Sequence, residues 1–258
     1  MFEGKTVAIA GAGRGLGREV AEVALREGGR VVLGARSEDV LAELATSLDP
    51  TGERVRTQHV DVVDRSSCQA FAEASAGWGP VHALVDVAAL DAVFGGVEDA
   101  DWDLWHQVVE VNFFGAMYLV QTMLPKLAPE GASVVFVGSQ TMYMPPAQVP
   151  QAGYAASKAA VIGAMRHMAI ELGRRRIRVN NVAPGWMWGP AVESYVSMTA
   201  QATGGSEDSV RAGITANLPL GDMATDGDVA EAVMFLASDR ARGITGQSIL
   251  VNAGEFMQ

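Results

Sequence analysis

Tyr154 and Lys158 stand four residues apart in the run Tyr154-Ala155-Ala156-Ser157-Lys158. In a helix this spacing places both side chains on one face, one turn apart. An ammonium beside a phenol favours the phenolate and draws the tyrosine pKa down from about 10. A phenol so tuned can act as a general acid or base near neutral pH. The pattern alone is common in proteins, so its weight depends on its surroundings.

A second set of residues suits phosphate. Gly11-Ala12-Gly13-Arg14-Gly15-Leu16-Gly17 follows the apolar run Thr6-Val7-Ala8-Ile9-Ala10 and precedes apolar residues at helical spacing, Leu16, Val20, Val23 and Ala24. Glycines let the backbone take positive φ and approach a ligand closely. A helix start offers free N–H groups and a positive dipole end to an anion. Gly11, Gly15 and Gly17 fit the pattern Gly-x-x-x-Gly-x-Gly. At the end of the next apolar run an acidic residue would bond the ribose hydroxyls of NAD, whereas an arginine accommodates the 2′-phosphate of NADP. The chain has Gly34-Ala35-Arg36-Ser37 there. Arg36, together with Arg14 in the turn, favours NADP(H) over NAD(H).

These residues must be held by regular elements, and the chain supplies them in alternation. Apolar runs at 6–10, 30–34, 55–60, 81–85, 133–137, 177–182 and 248–251 read as strands. Helical periodicity separates them, with long helices over 102–127 and 154–172 and a shorter one over 229–236. Strands apolar throughout, separated by helices, predict a parallel sheet covered on both faces. The segment 184–219 is rich in Gly, Ser, Thr and Met and reads as one long irregular loop, a lid over the site. No linker or repeat divides the 258 residues, so one domain is expected.

Composition removes several classes of function. The net charge of −11 argues against nucleic acid and weighs against an acidic carrier protein. No apolar run approaches the roughly 20 residues of a membrane span. The first residues lack signal-peptide character, and Cys68 is the single cysteine, so a cytoplasmic protein without an internal disulfide is expected. His59, His82, His106 and His167 show no ligand spacing, and no metal site is expected.

With the glycine turn, Asn112, Ser139 and Tyr154-x-x-x-Lys158 in this order, the chain resembles the short-chain dehydrogenase/reductase family over essentially its whole length. The resemblance implies a single-domain Rossmann-type fold over 1–258, a doubly wound sheet of about seven parallel strands with helices on both faces. It implies a nicotinamide cofactor and a homo-oligomer, tetramer or dimer, with the helices at 102–127 and 154–172 as the dimer face. Role by role, Ser139 would bond the substrate carbonyl. Tyr154 would exchange a proton with it as hydride moves. Lys158 would lower the tyrosine pKa and bond the nicotinamide ribose, and Asn112 would hold a water leading to Lys158. Asp61 and Val62 resemble the pair that contacts adenine.

Three positions depart from the family pattern. Asp86-Val87-Ala88-Ala89 replaces Asn-Asn-Ala-Gly, with Ala88 alone matching. Gly189 replaces a threonine that holds the nicotinamide amide, leaving backbone groups near Met187 to do so. Ser139 and Tyr154 are 15 residues apart, about two more than the family spacing, the excess falling within 140–153.

On the substrate side, Tyr143, Met144, Trp186, Met187 and Trp188 flank the site and suggest apolar pocket walls. The expected activity is reduction of an apolar or aromatic ketone, or oxidation of the matching alcohol. The alternatives are a 3-oxoacyl-thioester reductase and, more distantly, a non-catalytic dinucleotide-binding regulator.

Overall fold

The protein is described by a computed structural model over residues 1–91, 93–146 and 150–258. The chain runs β1 Thr6–Ala10, α1 Leu16–Arg26, β2 Arg30–Ala35, α2 Glu38–Leu48, β3 Val55–His59, α3 Arg65–Ser75 and β4 Val81–Asp86. It continues with α4 Trp102–Val109, α5 Ala116–Met123, β5 Ala132–Val137, α6 Ala152–Gly173 and β6 Ile177–Pro184. The remainder is β7 Met187–Trp188, α7 Pro190–Thr203, α8 Glu207–Thr215, β8 Ala224–Thr225, α9 Asp226–Ala237 and β9 Ser248–Val251.

Seven strands form one parallel sheet in the order β3-β2-β1-β4-β5-β6-β9. Successive side chains of a strand point to opposite faces, and at the sheet centre both faces are dry. Val7 and Ile9 of β1 join a core with Val20 of α1, Leu41 of α2 and Met234 of α9. Ala8 and Ala10 join a second core with Phe71 of α3, Leu119 of α5 and Met165 of α6. Each fully buried Leu or Ile contributes about 1.5–3 kcal/mol. Every residue of β1 is buried, so such a strand reads as a continuous apolar run rather than an alternating one.

From β1 the chain winds outward to β2 and β3, then returns to place β4 on the other side of β1. That reversal opens a crevice beyond the carboxyl ends of β1 and β4, where open α/β sheets bind ligands. The glycine turn and the segment after β4 meet there.

Two helical expectations are refined. The run at 102–127 is helical but not uniform: a π-helical turn, Glu110–Gly115, separates α4 from α5, and a 3-10 turn, Leu124–Lys126, ends it. Segment 184–219 is not irregular. It holds β7, α7 and α8, with β7 paired to β8. Its helices bury little: α7 buries Val196 and Ala200, and α8 buries none of its residues. The apolar stripe of α7 is weak, and α8 offers only Val210 and Ile214 at helical spacing within nine residues. The spacing excess between Ser139 and Tyr154 falls partly on residues 147–149, which lie outside the described residues.

Candidate active site

The glycine turn is built for close approach. Gly11 has φ +83°, and a Cβ there would run into the Ala88 backbone. Its N–H and that of Ala12 both donate to the Gly34 carbonyl, at 2.8 and 2.9 Å, tying the turn to β2. A Cβ on Gly17 would lie 2.7 Å from the Gly11 carbonyl oxygen. Gly15 precedes α1 without a side-chain cap, so the first N–H groups of the helix are left for a ligand. These features fit the pyrophosphate of a dinucleotide.

Around the turn, Ser37 caps α2 by accepting from Val40 N at 3.3 Å. Asp61 Oδ1 accepts from Val63 N at 3.2 Å, and buried Val62 packs against Gly115. Arg36 is exposed and makes no side-chain hydrogen bond or ion pair among the described residues. Arg14 differs from expectation. It pairs with Glu43 of α2, Nη2 to Oε2 at 2.6 Å, so a carboxylate already takes the cation that the sequence offered to a phosphate.

The second set of candidate residues sits on α6, after β5 and in the turn between α4 and α5. Tyr154 and Lys158 share one helix face as the spacing predicts, with Lys158 Nζ 5.9 Å from the centroid of the Tyr154 ring. Lys158 is buried and donates to the Val137 carbonyl at 2.7 Å. Ser139 follows β5, and its Oγ accepts from Thr141 N at 3.2 Å and lies 3.0 Å from Thr141 Oγ1. Asn112 sits in the π-helical turn, a distortion frequent at functional sites. Its Oδ1 accepts from Leu90 N at 2.7 Å, while Nδ2 donates to Leu90 O and to Ser157 Oγ, both at 3.0 Å.

Electrostatics at the pair differ from the simple expectation. Burial pushes the Tyr154 phenol up, the Asp91 carboxylate pushes it further, and contact with the Ser139 hydroxyl pulls back. The net direction is upward rather than downward, because desolvation of the phenolate outweighs the attraction the spacing suggests. Lys158 moves down through burial, opposed by Asp86 and then Asp91. Asp86, 6% exposed at the end of β4, is raised to about 6 by burial, with Lys158 pulling it down.

Ser139, Tyr154, Met187 and the Gly15–Leu16 turn all line one cavity of about 520 Å³. Phe94, Met144, Trp186 and Tyr195 give it apolar walls, and Trp186 and Tyr195 pack at 5.4 Å between ring centroids. The end of the glycine turn and the Ser139 and Tyr154 side chains thus share one space. Compared with known proteins, residues 11–255 match a family described as enoyl-(acyl carrier protein) reductase. The 3-oxoacyl-(acyl-carrier-protein) reductase of Salmonella typhimurium is 32% identical, covering 99% of each chain.

The chain belongs to the short-chain dehydrogenase/reductase family.

Solved structures of family members superpose closely. A short-chain type dehydrogenase/reductase from Mycobacterium ulcerans matches at TM-score 0.89 and 27% identity, covering 98% of this chain and 90% of that one. A single-substitution variant of the actinorhodin polyketide ketoreductase, solved with NADPH, matches at TM-score 0.89 and 29% identity, covering 99% of each chain. The protein is therefore an oxidoreductase that acts on a CH–OH or C=O group. Among the described residues no helix is long and apolar enough to cross a membrane, and no group of three or more His, Cys, Asp or Glu is placed to hold a metal.

Within this family frame, two expected pocket residues lie elsewhere. Tyr143 stacks on Phe256 at 6.2 Å between centroids and does not line the cavity. Trp188 packs in a small cluster with Leu218 and Met223, under the Arg211 guanidinium at 4.5 Å. Met187 and Trp188 are consecutive in β7 and so point to opposite sides, which a reading of aromatic content could not separate. Three groups went unnoticed in the sequence. Ser157 is fully buried and links Asn112 to the Tyr154 carbonyl, donating to it at 2.7 Å. Its position inside Tyr-x-x-x-Lys was the available signal. Asp91 and Asp226 line the cavity, and nothing in their local sequence marks them.

Proposed function

We propose that the protein is an NAD(P)(H)-dependent oxidoreductase, NADPH-preferring, that interconverts a ketone and a secondary alcohol with Tyr154 as general acid and base. The observation that carries this is the shared cavity: Ser139 and Tyr154 face the space onto which the uncapped start of α1 opens. The glycine turn and helix start at Gly11, Gly15, Leu16 and Gly17, with Arg36, Ser37, Asp61, Val62, Ala88 and Met187, would hold the dinucleotide. When bound, the dinucleotide supplies the hydride for the carbonyl carbon.

The protein's own groups handle the oxygen. The Ser139 hydroxyl donates to the substrate carbonyl as charge develops there. Tyr154 transfers its proton to that oxygen, and the Lys158 ammonium stabilises the phenolate left behind. Asn112 holds α6 through Ser157, so the pair keeps its position. The helices of segment 184–219 serve as a lid, since Trp186, Met187 and Val192 line the cavity from that side. Exposed Trp102, Phe114 and Ile170 on the long helices support a homodimer face and a homotetramer built on it. A cytoplasmic location fits the single buried thiol of Cys68.

A second reading, 3-oxoacyl-thioester reduction, is supported by the Salmonella relative's activity. Against it stands the cavity lining, which holds Asp91, Asp226 and Glu255 and no lysine or arginine among the described residues. Such walls attract no acidic carrier protein, whereas a neutral ketone needs no cation there. The non-catalytic reading is opposed by the presence of Ser139, Tyr154 and Lys158 together.

Tyr154→Phe tests the proposal. Ketone reduction, followed as nicotinamide absorbance, should fall by about 10²–10⁴-fold, while NADPH binding measured by fluorescence survives. Undiminished reduction by that variant would sink the mechanism.

A further inference from the structure

Three helices begin at the dinucleotide end of the cavity: α1 after Gly15, α7 after Gly189 and α9 at Asp226. Helix starts attract anions, and this space already contains one. The Asp226 side chain lies against both glycines. A Cβ on Gly15 would come within 2.9 Å of Asp226 Oδ2, and a Cβ on Gly189 would collide with both carboxylate oxygens. The residue is 8% exposed, and its carboxyl has no hydrogen-bond or ion-pair partner among the described residues.

An unpaired carboxylate in this position is costly to ionise. The charged groups facing it make matters worse. Glu19 of α1 and Glu193 of α7 are both acidic, while Gly15, Pro190 and β7 bring no charge. Within α9 itself, Asp228 is engaged with Thr225 in the capping box. The positive start of α9 favours the anion, but burial prevails and raises the group to about 6. A pyrophosphate entering the same space adds negative charge and raises it further.

We propose that Asp226 gates the dinucleotide site, admitting the cofactor when its carboxyl is neutral, so that binding takes up a proton. This rests on the reading that the cavity holds a nicotinamide dinucleotide. The neutral carboxyl also gains a use, since its O–H can donate to a phosphate oxygen. The ionised form is an internal competitor for the same helix starts.

The test is equilibrium binding of NADH to the intact protein and to Asp226→Asn, by fluorescence and by calorimetry in buffers of different ionisation enthalpy. NADH is the cleaner probe, because the 2′-phosphate of NADPH is a monoester that itself titrates near pH 6. Wild-type affinity should weaken by about tenfold per pH unit above the carboxyl's own midpoint, with close to one proton taken up near neutrality. Asp226→Asn should bind more tightly than wild type at pH 8 and show little pH dependence. Circular dichroism of both proteins without cofactor checks folding. If the variant does not fold, proton uptake by the wild type decides alone. Binding that is indifferent to pH, or equally pH-dependent in both proteins, overturns the gate and leaves the dinucleotide reading standing. Failure of both NADH and NADPH to bind either protein at pH 5.5 overturns that reading and the gate with it.

Discussion

Lys158 is anchored to the Val137 carbonyl at 2.7 Å, while its Nζ stands 5.9 Å from the ring centroid of Tyr154. The lysine is fixed to the strand that leads to Ser139, not to the tyrosine one turn away. Its charge is balanced from another direction, by Asp86 at the end of β4.

Asp86→Asn should therefore separate two effects. Removing the carboxylate takes away a charge that supports the Lys158 ammonium, so the alkaline limb of kcat/KM should move to lower pH. Stability should move the other way. Asp86 is raised to about 6 in the folded protein from an ordinary 3.8. The folded state thus binds its proton more tightly, and that stability is lost as pH rises from the unfolded value through about 6. Between pH 3.5 and pH 8 the variant should therefore lose less stability than the wild type, since its amide binds no proton in either state. At pH 3.5 no gain is expected. Denaturant unfolding at the two pH values checks this, and an equal change at both would contradict it.

Cofactor choice is expected to depend on two arginines in different states. Arg36→Ala should weaken NADPH binding by roughly tenfold or more, the loss of a charge-assisted contact, and leave NADH unchanged. Glu43→Gln should release Arg14 from its ion pair and strengthen NADPH binding. Dissociation constants for both dinucleotides measure this. An Arg36→Ala protein with an unaltered NADPH to NADH ratio would refute the assignment of NADP.

Two glycines of one turn should respond oppositely. Gly11→Ala introduces a Cβ at φ +83° that runs into the Ala88 backbone, so a loss of more than about 2 kcal/mol and weak dinucleotide binding are expected. Gly13 has nothing within 4 Å of the corresponding position, and Gly13→Ala should change stability by less than about 0.5 kcal/mol. Thermal melts of the pair distinguish local geometry from a general intolerance of the turn.

Ser157→Ala should expose the dependence of the reactive pair on its support. The variant leaves an Asn112 N–H without its acceptor in a buried site, a loss of about 1–3 kcal/mol. Reduction should slow with KM little changed, since Ser157 does not line the cavity. A KM effect with normal kcat would place Ser157 in substrate binding instead.

Much of this was legible in the sequence for one physical reason. Strands buried on both faces announce themselves as apolar runs, and Thr6–Ala10 and Ser248–Val251 have the boundaries they were expected to have. Gly11, Ser139, Tyr154 and Lys158 are recognisable because backbone access and proton transfer need particular residue types at particular spacings. What escaped is set by distance through space. Asp226 meets Gly15 across more than two hundred residues, and Glu43 captures Arg14 from another helix. Helix α7 has a weak apolar stripe and α8 is short, so little in that segment marks them as helices. The direction of the Tyr154 shift depends on how much water reaches the phenol, a property of the assembled cavity.

The segment beginning at Ser139 has its far anchor late in the chain. Gln140, directly after the serine, donates from Nε2 to Glu255 Oε2 at 2.8 Å, and its Oε1 accepts from Asn252. Those partners are made more than one hundred residues later, beyond β9, the edge strand that pairs with β6. On the ribosome Gln140 therefore waits without these two partners through the synthesis of α6 to α9. At about 5–20 residues per second that interval lasts many seconds. A nascent chain lacking residues 252–255 would carry Ser139, Tyr154 and Lys158 but not the side chains that hold Gln140 beside the serine.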